Sequence, residues 1–272
     1  VARRRGATRR RRAQPRRRAA GGKRVTPIRV ALYVVCAAIV VVAGNFIYQV
    51  VRKPTELFFP VSGDFYKTPE ESWRAYAHLF RRYATAHVSA ELLAALAQVE
   101  ASGNPLVRTY WRWSWLGAPF NFYHPASSAV GMFQMTDPTF AEARHWCIHD
   151  HQLTREGAWD DWHSCWFNRL YVRVLPADAI ELTAADLELK VSAILAQLPR
   201  TAAVRPEQTE RLAAVVHLCG AGAGALYARR GFRFSAGQRC GDHDPRQYLE
   251  RVEAFRGEFA HLNAREAGAA AQ

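Results

Sequence analysis

The stretch Ser89–Pro105, SAELLAALAQVEASGNP, carries one carboxylate, Glu100, at the end of an apolar helical run. Leu92, Leu93, Leu96 and Val99 recur at helical spacing and predict a stripe turned toward a core. Glu100 follows Leu96 by one i,i+4 step, so it projects from the edge of that stripe. A carboxyl there is partly desolvated and sits at the negative end of the helix dipole, and both effects favour the neutral acid. That setting suits a general acid, which must hold a proton until a leaving group takes it. The plainer alternative is a solvated last-turn Glu with no task. The helix that would position Glu100 has clear limits. Ser89 is its N-cap, Glu91 lies in its first turn, and Ser102-Gly103-Asn104-Pro105 stop it with Gly103 as C′ residue.

A second concentration of reactive types is His145, Cys147, His149, Asp150 and His151, with His163 and Cys165 nearby. These are metal-ligand types and raise a zinc-dependent hydrolase as an alternative. They lack an H-E-x-x-H pattern, and ligands at alternating positions do not share one helix face. The expectation is therefore no metal site.

Two further stretches stand in order after Glu100. One is Ala129-Val130-Gly131-Met132-Phe133-Gln134, with Thr136 and Pro138 beside it; the other is His217-Leu218-Cys219-Gly220-Ala221-Gly222. Together with E-A-S-G-N-P they resemble the three landmarks of the soluble-type (SLT) lytic transglycosylases: E-S-x-x-N-P, G-L-M-Q and A-Y-N-A-G-x-G. The resemblance covers roughly residues 89–225. It implies a mainly α, lysozyme-like catalytic domain that cleaves the MurNAc–GlcNAc bond of peptidoglycan without water, leaving a 1,6-anhydro end. It needs no cofactor. By position, Glu100 matches the family's catalytic acid, Met132, Phe133 and Gln134 match residues lining the sugar cleft, and His217 falls where a Tyr normally neighbours the acid. A register two residues later would put Cys219 there. The chain departs from the pattern at Ala101, Leu218, the shifted Pro138 and the long aromatic insertion Leu106–His124. A non-catalytic glycan-binding or envelope-assembly module is the other alternative.

The net charge of +13 first suggests nucleic acid, but thirteen of the thirty-seven Lys and Arg lie before Val30. The remaining twenty-four face twenty-four acidic residues, so the basicity belongs to a tail. Residues 1–27 read as a disordered cytoplasmic tail that sets topology and touches anionic lipid, with nucleic acid disfavoured. Val30–Val51 has no charge over 22 residues, enough for a bilayer core that needs roughly 20. The expectation is an uncleaved anchor over 28–51 in the bacterial inner membrane, a linker over 52–67, a catalytic domain over 68–265 on the periplasmic side, and a flexible tail over 266–272.

Cys36 falls inside the span. Cys147, Cys165, Cys219 and Cys240 lie beyond it, an even number that predicts two disulfides with three connectivities. The expected pairs, each closing a short loop, are Cys147–Cys165 and Cys219–Cys240. Helix starts are predicted at Thr68-Pro69-Glu70-Glu71, near Thr183–Asp186, at Arg205-Pro206-Glu207 and at Asp244-Pro245, the first helix running to about Ala86. No segment alternates with period two for long, and no internal repeat is visible.

Overall fold

A computed structural model describes residues 26–58, 60–114, 120–161, 164–199 and 203–270. Most of the basic tail, as well as Trp115 and His163, lies outside them. Among the described residues the chain is mainly helical and divides into two units, 1–43 and 44–272. Helix α1 (Pro27–Arg52) contains the uncharged run. It is long and apolar enough to cross a membrane, and its side chains over 27–43 are all exposed. The second unit begins at Gly44, inside the segment expected to be anchor.

Helix α2 (Pro69–Tyr83) opens on the predicted capping box. Thr68 Oγ1 accepts from Glu71 N at 3.2 Å, and the Glu71 carboxylate accepts from Thr68 N at 2.8 Å. It stops at Tyr83, short of the expected Ala86. Helix α3 (Ala90–Ala101) is capped by Ser89, whose hydroxyl accepts from Leu92 N. Leu92, Leu93 and Leu96 are buried as expected, but so are Ala94, Ala95 and Ala97. Small side chains on the remaining faces let α2, α5 and α7 all approach, so α3 is a central helix and not an amphipathic surface one. It ends in two left-handed residues, Ser102 (φ 48°) and Gly103 (φ 64°). A Cβ on Gly103 would lie 2.1 Å from Ser72 Oγ, so only glycine fits that contact.

Helices α4 (Asp137–Ala143), α5 (Pro176–Ala196), α6 (Pro206–Arg229) and α7 (Pro245–Ala270) complete the helical set. The start expected near Thr183 is corrected: α5 begins at Pro176, and Thr183 is buried in its interior. Pro176 at the first helical turn was the stronger start signal. Helix α6 is broken at Gly220 (φ 80°, ψ 166°). Helix α7 continues to Ala270, through residues expected as a flexible tail. The residues expected as a linker also have structure, forming two 3₁₀ turns at Pro54–Phe58 and Ser62–Phe65 with Glu56 wholly buried.

Two small antiparallel sheets were not anticipated. Strand β1 (Trp111–Trp113) pairs with β2 (Tyr123–Pro125), and β3 (Trp146–His149) pairs with β4 (Gln152–Arg155). The second turns through Asp150 (φ 47°) and His151 (φ 63°), a two-residue connection with both φ positive but without the usual Asn-Gly. Strands of three and four residues are too short for alternation to register in the sequence. The expected disulfides are present as Cys147–Cys165 and Cys219–Cys240, with Cα–Cα separations of 5.3 and 5.1 Å.

Candidate active site

Glu100 occupies the last turn of α3, its side chain 18% exposed, and opens into a cleft of about 330 Å³. Its closest polar neighbour comes from the far end of the chain. Tyr248 Oη, on α7, donates to Glu100 Oε1 at 2.6 Å. Tyr248 is buried, and burial followed by the Glu100 charge pushes its phenol well above the ordinary range. It therefore remains a donor across the working pH range. It fixes one carboxylate oxygen and leaves the other for the cleft.

His217, from the α6 turn just before the Gly220 break, places Nε2 3.7 Å from the same Glu100 oxygen. That separation permits charge attraction when the ring is protonated but not a hydrogen bond. Phe133 meets the His217 ring edge-on, with centroids 6.4 Å apart. The second stretch forms a tight turn, in which Val130 N donates to Met135 O and Met135 N to Val130 O, both at 3.1 Å. Gly131 (φ 80°) sits so near Arg173 O that a Cβ would approach it to 2.2 Å. Gln134, itself left-handed at φ 46°, donates from Nε2 to Gly131 O (2.9 Å) and to Val107 O (3.3 Å).

The sequence-derived residues thus separate. Glu100, Phe133, Gln134 and His217 line one cleft. Met132 does not, because its side chain is wholly buried in the main core; Met135 faces the cleft instead. The Gln134 amide nitrogen is already engaged in holding its own turn.

Cleft residues not assigned to the site from the sequence include Thr183, Asp186, Lys190 and His243. Asp186 and Lys190 form an i,i+4 ion pair at 2.5 Å, and Glu142 lies 3.2 Å from the same ammonium. Burial pushes the Asp186 carboxyl above its ordinary range, opposed by Lys190. The hydroxyl of Thr183 is buried without a hydrogen-bond partner among the described residues. His243 follows Cys240, whose disulfide to Cys219 ties this loop to the α6 break beside Gly220. The Asp-Lys spacing was readable as a helix pair, but nothing in the sequence linked Tyr248 to Glu100 across 148 positions.

In the His/Cys-rich region, Cys147 and Cys165 are bonded to each other and cannot serve as thiolate ligands. His145 Nδ1 contacts Glu156 at 2.5 Å, and His151 Nδ1 contacts Ala84 O at 2.8 Å. Among the described residues no group of three or more His, Cys, Asp or Glu is arranged to hold a metal. No family model, curated protein or solved structure matches the chain.

Proposed function

We propose that this chain is a membrane-anchored lytic transglycosylase with a lysozyme-like domain, acting on peptidoglycan glycan strands. The observation that carries the reading is the meeting of three sequence-distant stretches in one cleft around the half-buried carboxylate of Glu100. Glu100 first donates a proton to the glycosidic oxygen. The resulting carboxylate then takes the proton of the MurNAc 6-hydroxyl as that oxygen attacks the anomeric carbon, closing the anhydro ring. Attack from within the same sugar benefits from the high effective molarity of intramolecular reactions. Tyr248 supports both steps by holding Glu100 Oε1, so that the proton is given and recovered at Oε2. The two disulfides fit an oxidising compartment, and the Arg-rich tail before α1 fits retention of that end in the cytoplasm.

Asp186 favours a second reading, hydrolysis of the same bond. Hydrolytic glycosidases pair an acid with a second carboxylate, and Asp186 lines this cleft. Its ion pair with Lys190 argues for a structural role. Mass analysis of fragments released from purified sacculi separates the outcomes. Anhydro ends, lighter by one water, support transglycosylation, with Asp186→Asn retaining the same product. Reducing ends that disappear in Asp186→Asn support hydrolysis. Binding without release supports a glycan-binding or assembly module.

A further inference from the structure

Helix α1 contains two polar residues in its apolar run, Asn45 and Gln49, one helical turn apart and both buried. Asn45 Nδ2 donates to Tyr123 O at 2.6 Å, and Gln49 Nε2 donates to Phe120 O at 3.0 Å and to Asn121 Oδ1 at 3.1 Å. Between them, Phe46 stacks on Trp111 with centroids 6.0 Å apart. The last two turns of α1 are therefore fastened to the β1–β2 hairpin. The fastening is reinforced at its base by Glu56, which accepts from Arg108 Nη1 (2.5 Å) and Trp111 Nε1 (2.8 Å) and pairs with Lys53 at 3.3 Å.

Helix length now becomes informative. Fifteen residues from Val30 to Gly44, at about 1.5 Å each, reach only about 22 Å, short of a hydrocarbon core of about 30 Å. Some twenty residues are required, and counting twenty from Val30 ends at Gln49. If α1 spans, Asn45 and Gln49 lie within the span, and the oxygens that accept from their amide nitrogens, Tyr123 O, Phe120 O and Asn121 Oδ1, must lie at the same depth. A polar side chain at that depth is costly unless such a partner accompanies it. The hairpin is suited to the position. Tyr110, Trp113 and Phe120 are 72%, 60% and 46% exposed; Tyr and Trp rings concentrate at the headgroup boundary, and Phe120 adds an exposed apolar ring.

We propose that the β1–β2 hairpin is embedded in the interfacial layer of the bilayer that α1 spans, at the C-terminal end of α1, with Tyr110, Trp113 and Phe120 contacting lipid. The inference rests on α1 spanning a membrane and not on the chemistry of the cleft. The hairpin thereby adds a lipid contact of its own to the tether of the helix.

The test uses the full chain in phosphatidylcholine–phosphatidylglycerol vesicles carrying a lipid with a diazirine high on its acyl chain. After irradiation, adducts are mapped by peptide mass analysis. Adducts are expected on α1 and also on Tyr110–Trp113 and Phe120–Tyr123. In Asn45→Ala/Gln49→Ala, the hairpin adducts should be lost while those on α1 persist. Adducts confined to α1 in the unaltered chain would overturn the proposal, leaving the hairpin in water or against a second copy. Hairpin adducts that persist in the double variant would overturn the claim that α1 sets its depth.

Discussion

The cleft at Glu100 and the junction at Glu56 each withdraw one carboxylate from water, and they do so with opposite company. Glu56 is wholly buried between two cations and an indole N–H, Arg108, Lys53 and Trp111. Burial pulls the Lys53 ammonium below its ordinary range, with Glu56 opposing. Arg108, Trp111 and Lys53 all approach that one side chain and hold it in place. Glu100 keeps an open side, one neutral hydroxyl donor and a His too distant for a hydrogen bond. A carboxylate enclosed by cations is a rivet, whereas one held by a phenol and facing a cleft can exchange a proton. Partner type, more than burial, separates the two roles.

The comparison can be broken first at Glu100. Glu100→Gln keeps the volume but has no proton to deliver, and one group serves as both acid and base. Cleavage of sacculi should fall by roughly 10²–10⁴-fold or more, with the thermal midpoint nearly unchanged. A folded variant cleaving at the normal rate would end the proposed function. Glu56→Ala should show the reverse. It leaves Arg108 and Lys53 buried without their carboxylate, at a cost of about 3–5 kcal/mol in denaturant unfolding of the solubilised chain, while turnover per folded molecule is preserved. Equal stability would mean that the junction is not a rivet.

Cys219→Ser/Cys240→Ser tests whether the cleft needs external bracing. Its expected cost is about 2–5 kcal/mol, with a further loss of activity because the His243 loop is released. Tyr248→Phe sharpens the argument about partner type. It removes one hydrogen bond to a carboxylate, worth about 1.5–3 kcal/mol, so kcat should drop about ten- to hundredfold while KM changes little. A change in KM alone would move Tyr248 from positioning the acid to shaping the cleft. Smallest of all is Glu91→Gln. Its carboxylate accepts from Asn263 Nδ2 at 2.6 Å, so it is not simply solvated, but Gln retains an acceptor. Activity should be unaltered, and stability should shift by under about 0.5 kcal/mol.

What could be read in advance was local. Ser89, Thr68 with Glu71, Pro206 and Pro245 mark helix starts because capping and proline act within one turn. The disulfide pairs were legible because each closes a short loop. The two short turns within 52–67 were not legible because the contacts at Glu56 come from Arg108 and Trp111, more than fifty positions away. The same limit hid Tyr248: the pattern of Tyr248, Leu249 and Val252 marks a buried face but gives no sign that the phenol reaches Glu100. Met132 was placed on the cleft because its own stretch, Gly131–Gln134, resembles a landmark whose residues line a sugar cleft. The tight turn from Val130 to Met135 sends it into the core instead.

The dependence of Glu100 on α7 has a consequence for the order in which the chain matures. A chain threaded across a membrane from its N-terminal side delivers α3 long before the helix that supplies Tyr248. Until that last helix docks, the candidate acid lacks the hydroxyl that fixes its orientation, and the face of α3 beside it is bare. On the proposed reading, a half-exported chain would be close to inert toward the wall around it. Competence would arrive with the closing of the core.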